Sequence, residues 1–179
     1  MKIEQIIYLV MISTIMSIFY SCDTIPHGAI AVKPFNKERY LGKWYEIARK
    51  DFKYERNLSN TTAEYTLNDN GTIKVDNQGF NKKTGKWDRA IGKAKFVEED
   101  NIGKLKVSFF GPFYSGYNVI AIDDEYNYAL VAGSSLKYLW ILSRNTNIPV
   151  EIKNKYLKIA EQIGYNTADL IWVEHDKQK

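Results

Sequence analysis

Eight short runs of strand-forming residues follow one another along the chain, and short polar turns separate them. The runs lie near residues 43–51, 60–68, 72–79, 86–97, 103–110, 116–123, 127–133 and 137–144. Three of the turns end in glycine, a residue that tight turns favour, at residues 68–71, 82–85 and 100–103. Strands joined in sequence by such turns pair antiparallel, so the pattern predicts an all-β fold, an eight-stranded antiparallel up-and-down barrel.

The first and the last of these runs each carry one unusual side chain. Trp44 lies in the segment YLGKWYEIAR, and Arg144 ends the segment YLWILSR. An indole and a guanidinium that meet can stack as a cation–π pair worth about 0.5–2 kcal/mol. We expect this pair to join the first and last strands and so to close the barrel.

A helical period replaces the strand pattern near the C-terminus. Pro149 suits the first turn of a helix and Gly164 suits its end. Between them, apolar residues recur at helical spacing, at Ile152, Tyr156, Ile159, Ala160 and Ile163. We therefore predict a C-terminal amphipathic α-helix packed outside the barrel, followed by a short strand at residues 170–174. A short helical turn is expected at residues 36–40.

The N-terminal residues have the pattern of a lipoprotein signal. An uncharged apolar run at residues 6–20 follows Lys2, and it is shorter than the roughly 20 residues that a transmembrane helix needs. Ser21 and Cys22 come next, a small residue and a cysteine as a lipoprotein signal peptidase requires, so we expect Cys22 to carry the lipid. An ordinary signal peptide or an uncut anchor is the alternative, and Asp23 leaves the choice between inner and outer membrane open.

These signals divide the chain into four parts. Residues 23–35 contain proline and glycine and have no clean periodicity, which is typical of a tether. We predict a signal peptide over residues 1–21, an acylated cysteine with its tether over 22–35, a barrel domain over 36–174 and a tail over 175–179.

Three motifs appear in the order in which the lipocalin family has them. The segment GKW, residues 42–44, resembles the first lipocalin signature, and residues 121–131 and 140–144 resemble the second and third. The second departs from the common form, because Ile122 stands where threonine is usual and one extra residue precedes Tyr128. The resemblance covers about residues 36–174 and implies the barrel with its outer helix.

One further segment narrows the resemblance. Residues 106–120, KVSFFGPFYSGYNVI, are similar to the bacterial outer-membrane lipoprotein lipocalins, which are akin to apolipoprotein D. That subgroup implies a protein held in the cell outer membrane by its own lipid, which binds, stores or transports fatty acids or lysophospholipids. The implied partners are the lipid ligand and the membrane, and the sequence leaves a homodimer open.

Strand alternation assigns side chains to the barrel interior. Charged residues on the outside of each strand fix the parity, and the pairing of Trp44 with Arg144 fixes it for the first and last strands. The expected ligand cavity is apolar and aromatic, as an acyl chain requires; it is lined by Glu46, Ala48, Tyr65, Leu105, Val107, Phe109, Tyr117, Val119, Tyr138, Trp140 and Leu142. A buried carboxylate needs a partner, so Glu46 should meet tyrosine hydroxyls or an arginine, or hold a proton.

Large aromatic residues also occur in segments that read as turns. Such residues reduce solubility unless they line an opening or contact a membrane or a partner. We expect Phe52, Tyr54, Phe113 and Tyr114 to surround the mouth of the barrel.

Few residues are suited to chemistry. His27 and His175 lie outside the predicted interior strands, Cys22 is consumed by acylation, and no motif for a metal, haem or phosphate appears. We therefore expect no enzyme and no cofactor. Lysines alternate with acids at a net charge of +4, which argues against nucleic-acid binding. The alternative function is a structural envelope or interaction protein whose barrel is filled by its own side chains.

Overall fold

Nine strands and two helices occupy residues 24–177, the part of the chain that the computed structural model describes. In chain order they are α1 (Lys37–Tyr40), β1 (Gly42–Arg49), β2 (Leu58–Leu67), β3 (Ile73–Asn81), β4 (Lys86–Phe96), β5 (Lys104–Phe110), β6 (Phe113–Ile122), β7 (Tyr128–Gly133), β8 (Leu139–Ser143), α2 (Val150–Ile163) and β9 (Ile171–Trp172). The predicted signal peptide and Cys22 lie outside the described residues.

Strands β1 to β8 form a closed barrel. Each strand pairs antiparallel with the next, and β1 pairs with both β8 and β2. Tyr45 lies at the closure, since it faces Ser143 of β8 on one side and Thr62 of β2 on the other. The predicted eight-stranded up-and-down barrel is confirmed. The short β9 extends the sheet along the end of β1, where Ala48 faces Trp172.

The two helices lie where the sequence placed them. Asn36 caps α1 by accepting a hydrogen bond from the backbone of Arg39, and Gly164 ends α2 in the left-handed conformation at φ 105°. Helix α2 packs on the outer face of the barrel, where Tyr156 donates from its hydroxyl to the carbonyl oxygen of Tyr128 at 2.8 Å. Neither helix of residues 24–177 is long and apolar enough to cross a membrane.

Two apolar clusters lie on opposite faces of the sheet. The interior cluster fills the closed end of the barrel and lines the space above it, and the exterior cluster joins the barrel to α2. The closed end is the one that carries α1 and the β6–β7 turn. The open end carries the β1–β2, β5–β6 and β7–β8 loops.

Two β-bulges change the alternation on which the interior was predicted. One lies between Glu46 and Ala48 in β1, and the other lies between Val119 and Ala121 in β6. A bulge adds one unpaired residue, so side chains beyond it change face. Ala48 therefore belongs to the exterior cluster beside α2, and its predicted place in the ligand cavity is wrong.

The segment predicted as a tether is fixed to the barrel from Thr24 onward. The carbonyl oxygen of Thr24 accepts from the side chain of Asn118 at 2.6 Å, and the N–H of Val32 donates to Val119 at 2.9 Å. A Cβ at Gly116 would lie 1.8 Å from the Thr24 oxygen, so this approach requires glycine there. The predicted tail is held as well, since the Lys177 N–H donates to the side chain of Asn60 at 2.8 Å.

Candidate ligand-binding site

The closed end of the barrel is built around Trp44 and Arg144. Trp44 is fully buried, and the Arg144 guanidinium carbon lies 3.8 Å from the centre of its indole. The same guanidinium donates to the carbonyl oxygens of Arg39, Leu41 and Lys43 at 2.7–2.9 Å. The cation thus satisfies backbone acceptors that α1 and the start of β1 leave free, and it fixes them to the end of β8.

A chain of three tyrosine hydroxyls crosses the middle of the barrel. The Tyr117 hydroxyl lies 2.6 Å from that of Tyr40 and 2.7 Å from that of Tyr65. Burial raises the pKa of all three phenols well above its usual value, so they stay neutral. The Tyr40 ring contacts Trp44 below, and the Tyr117 ring contacts Trp140 above. We call these three residues the tyrosine layer.

Most of the residues predicted for the cavity point into the barrel. Tyr65, Leu105, Val107, Phe109, Tyr117, Val119, Trp140 and Leu142 all belong to the interior cluster. Four of these, Val107, Phe109, Tyr117 and Trp140, are only partly buried although they point into a closed barrel. Gly92 leaves room for one of them, because a Cβ there would lie 2.8 Å from the Phe109 ring.

Glu46 meets an arginine inside the barrel. Its Oε1 accepts from the Arg49 guanidinium at 2.7 Å and from the Thr61 hydroxyl at 3.1 Å. Arg49 is fully buried, and its other terminal nitrogen donates to the carbonyl oxygens of Glu55 and Leu58 at 2.5 and 3.0 Å. Burial raises the pKa of the Glu46 carboxyl, while Arg49 and Thr61 act in the opposite direction. This pair ties the β1–β2 loop to the upper interior.

A second carboxyl lies beside this pair. The Glu55 side chain reaches back from the β1–β2 loop and accepts a hydrogen bond from the Trp140 indole at 3.2 Å. Burial and then the nearby negative charge of Glu46 raise the pKa of Glu55 to about 8. We call Glu46, Arg49 and Glu55 the acidic cluster.

Aromatic side chains surround the open end above the acidic cluster. Phe52 packs edge-on against Tyr138 at 5.8 Å and against Trp140 at 6.1 Å between ring centres, and the last two rings stack on each other. Tyr54 contacts Phe52 on one side and Phe110 on the other. Phe110 is 68% exposed and Phe113 is 79% exposed, so the β5–β6 loop presents apolar rings to the outside.

Tyr114, expected at the mouth, lies on the outer face instead. The ammonium groups of Lys95 and Lys106 lie 4.9 and 5.7 Å from the centre of its ring. Those two lysines face each other across β4 and β5 on the side opposite the interior cluster. The alternation of β6 continues to its first residues, and this places Tyr114 outside.

Three interior groups were missed by the sequence analysis. Arg49 has the parity of an outward residue, and only the bulge before it turns it inward. Glu55 belongs to a loop, where alternation predicts nothing. Asn77 of β3 has a buried side-chain oxygen with no hydrogen-bond partner among residues 24–177. The Nε of Arg49 is likewise buried and has no acceptor among these residues. The need of Glu46 for a partner was the one signal in the sequence for this region.

The described residues also form a groove on the outer surface of the barrel. The groove lies outside the closed end, between α1, Asp100 of the β4–β5 loop and Asp123 of the β6–β7 turn. Its charged lining does not suit an acyl chain. Residues 24–177 contain no group of three or more His, Cys, Asp or Glu side chains placed to hold a metal ion.

Known proteins of similar sequence cover most of this chain. Residues 35–175 match the family model described as a lipocalin-like domain. The outer membrane lipoprotein Blc of Escherichia coli K12 is 49% identical over 154 residues, 86% of this chain and 87% of the relative. Blc of Vibrio cholerae is 42% identical over 169 residues, 94% of this chain and 97% of the relative. Apolipoprotein D of Macaca fascicularis is 37% identical over 125 residues, 65% of each chain.

Solved structures agree with the fold. Insecticyanin from the tobacco hornworm superposes with a TM-score of 0.67 at 21% identity, over 83% of this chain and 85% of its own. The cockroach allergen Per a 4 gives a TM-score of 0.66 at 21% identity, over 85% and 96%. Lipocalins are binding and transport proteins for small hydrophobic ligands and are not enzymes. With the family model matched over nearly the whole barrel, the chain belongs to the lipocalin family.

Proposed function

We propose that this lipocalin binds, stores or transports fatty acids or lysophospholipids in the upper half of its barrel. The observation that carries the proposal is the partial burial of Val107, Phe109, Tyr117 and Trp140. Side chains that point into a closed barrel retain exposure only where the interior holds free space. The space is apolar and opens at one end, which suits a single acyl chain.

The free energy gained by burying methylene groups favours a ligand with a long acyl chain. Each methylene removed from water contributes about 0.8 kcal/mol, before the cost of ordering the ligand is subtracted. The tyrosine layer limits the depth to which an acyl chain can enter the barrel. Its neutral hydroxyls already pair with each other, so methylenes buried against them add little to the free energy of binding. Polar groups of the ligand then lie near the acidic cluster and the open end.

The anchor belongs to the same proposal. Relatives that are 42–50% identical are outer membrane lipoproteins by name, and the same location is assigned to this chain, with Cys22 as the lipid attachment site. Two residues of extended chain span about 7 Å, and Thr24 is fixed beside Gly116 of β6. An acylated Cys22 therefore holds the barrel close to the bilayer, near the exposed rings of the β5–β6 loop.

Lipid binding is tested with residues 23–179, which lack the lipid attachment site and keep every contact described above. Native mass spectrometry with lipid extraction should find an acyl lipid, and oleate or lysophospholipid should quench tryptophan fluorescence saturably. Val107→Trp, which fills the interior, should weaken binding at least tenfold. Lys106→Trp on the outer face of the same strand is the matched control and should leave it unchanged.

Two results would contradict the proposal. An empty protein that fails to bind either lipid would favour the structural envelope protein with a filled barrel. Equal effects of the two tryptophan variants would place binding outside the barrel. The anchor is tested separately, since Cys22→Ser should abolish labelling by radioactive palmitate and release the protein from the membrane fraction.

A further inference from the structure

The acidic cluster holds one more carboxyl than it has cations. The terminal nitrogens of Arg49 donate hydrogen bonds to the Glu46 carboxylate and to two backbone carbonyls. None of these hydrogen bonds reaches the Glu55 carboxyl, whose described donor is the neutral indole of Trp140. A partly buried carboxylate that no cation hydrogen-bonds is costly, and such a group takes up a proton instead.

The charges that surround Glu55 favour the protonated form of its carboxyl. From β1 it faces Glu46, which raises its pKa, and Arg49, which lowers it less than burial raises it. From β2 the phenol of Tyr65 lies near it, while the Thr61 hydroxyl donates to Glu46 instead, and from β8 Trp140 donates to it. Of the charged groups of its own loop, Asp51, Lys53 and Arg56 are exposed to water, and Lys50 pairs with Asp169. His175 contacts the backbone oxygen of Glu46. With a pKa of about 8, Glu55 is mostly neutral at pH 7.

A protonated carboxyl is both donor and acceptor. One oxygen of Glu55 accepts from Trp140, so a protonated carboxyl still has an O–H group to donate. Trp140, which holds the other oxygen of this carboxyl, belongs to the interior cluster and is only partly buried. A donor beside it matches a ligand whose head carries acceptor oxygens.

We propose that Glu55 selects the charge of the lipid head: its neutral carboxyl donates a hydrogen bond to an anionic head, and its ionised form repels that head. The inference rests on the proposed function, because it requires a single-chain lipid in the barrel. The carboxylate of a fatty acid and the phosphate of a lysophospholipid share the chemistry that this donor recognises. A cationic head should show the opposite preference.

The test uses heads whose charge does not change with pH. Three probes are titrated into residues 23–179 at pH 6.5, 8.0 and 9.5, and tryptophan fluorescence is the readout. The probes are dodecanesulfonate, dodecanol and dodecyltrimethylammonium, each kept below its micellar concentration. The sulfonate Kd should rise at least tenfold from pH 6.5 to 9.5. The dodecanol Kd should change less than twofold, and the ammonium Kd should fall.

Glu55→Gln isolates the carboxyl. The amide keeps a donor and an acceptor but cannot ionise, so the variant should bind the sulfonate at pH 9.5 about as tightly as the parent does at pH 6.5. Glu64→Gln, an exposed change on β2, is the matched control and should keep the parent profile. Near-ultraviolet circular dichroism checks that both variants fold.

Each outcome is decisive. A pH dependence that persists in Glu55→Gln, or that dodecanol shares, would overturn the role of Glu55 while leaving lipid binding intact. Failure of all three probes to bind at any pH would instead contradict the proposed function itself.

Discussion

Replacing Arg49 by methionine should show how much of the barrel depends on one buried cation. Methionine fills similar volume without charge, so the change removes the hydrogen bonds to Glu46, Glu55 and Leu58 and little packing. Breaking a buried ion pair from one side costs about 3–5 kcal/mol, because the remaining charge stays buried without compensation. We expect a loss of this size in the free energy of unfolding at pH 8.

The loss should depend on pH in a defined direction. Without Arg49 the folded-state pKa of Glu46 rises further above its unfolded value near 4.5. A raised carboxyl pKa destabilises the folded state progressively above the unfolded pKa, by about 1.4 kcal/mol per pH unit, until the folded pKa is reached. At pH 5 the Arg49→Met variant should therefore lose at least about 2 kcal/mol less than at pH 8.

Urea unfolding followed by tryptophan fluorescence at pH 5 and pH 8 measures both quantities. Glu46→Gln added to Arg49→Met is the matched control, since it removes the stranded charge and should recover stability at pH 8 but not at pH 5. Equal losses at the two pH values, with no recovery in the double variant, would show that Glu46 is not the charge that Arg49 compensates.

Four other outcomes follow from the same contacts. Arg144→Met should destabilise by about 2–4 kcal/mol in urea unfolding, because it leaves several carbonyl acceptors unpaired as well as removing the cation–π contact. Tyr117→Phe leaves two buried hydroxyls without a partner and should cost about 2–4 kcal/mol in the free energy of unfolding. Tyr65 is at one end of the three hydroxyls, so Tyr65→Phe should cost only about 1 kcal/mol. The reverse order of these two losses would contradict the tyrosine layer. Glu55→Gln should stabilise the protein increasingly from pH 4.5 to pH 8, the window between the unfolded and folded pKa of the carboxyl, as thermal melts at intervals of pH will show. Asp76→Asn, on an outer-face pair with the exposed Arg89, should cost less than about 1 kcal/mol in the same urea assay.

The fold was predictable because its signals are local. Pro149 and Gly164 marked the ends of α2, and the glycine turns marked the strand order that makes the barrel. The contact between Trp44 and Arg144 joins distant parts of the chain, yet the sequence indicated it because an indole and a guanidinium can pair. Periodicity and turn chemistry carry such information without knowledge of tertiary contacts.

The parts that were missed depend on tertiary contacts. A bulge leaves no mark in the sequence of β1, so alternation placed Ala48 inside and could not place Arg49 there. Residues 24–35 look like a tether by composition, and only the donor of Asn118 and the space at Gly116 fix them to β6. Tyr114 was assigned by its proximity to the β5–β6 turn, where strand parity was the better guide.

The bulge in β1 connects the outer helix to the inner chemistry. The residue it adds turns two consecutive side chains, Ile47 and Ala48, outward into the exterior cluster that holds α2. The same shift turns Arg49 inward to meet Glu46. A regular strand would place Arg49 against the apolar helix and would leave Glu46 without its cation, so one backbone irregularity satisfies both faces of the strand. It also brings the ion pair of Glu46 and Arg49 into the upper interior, beside Glu55. For the proposed single-chain lipid, the acidic cluster at the open end implies one orientation, with the tail toward the tyrosine layer and the head beside Glu55.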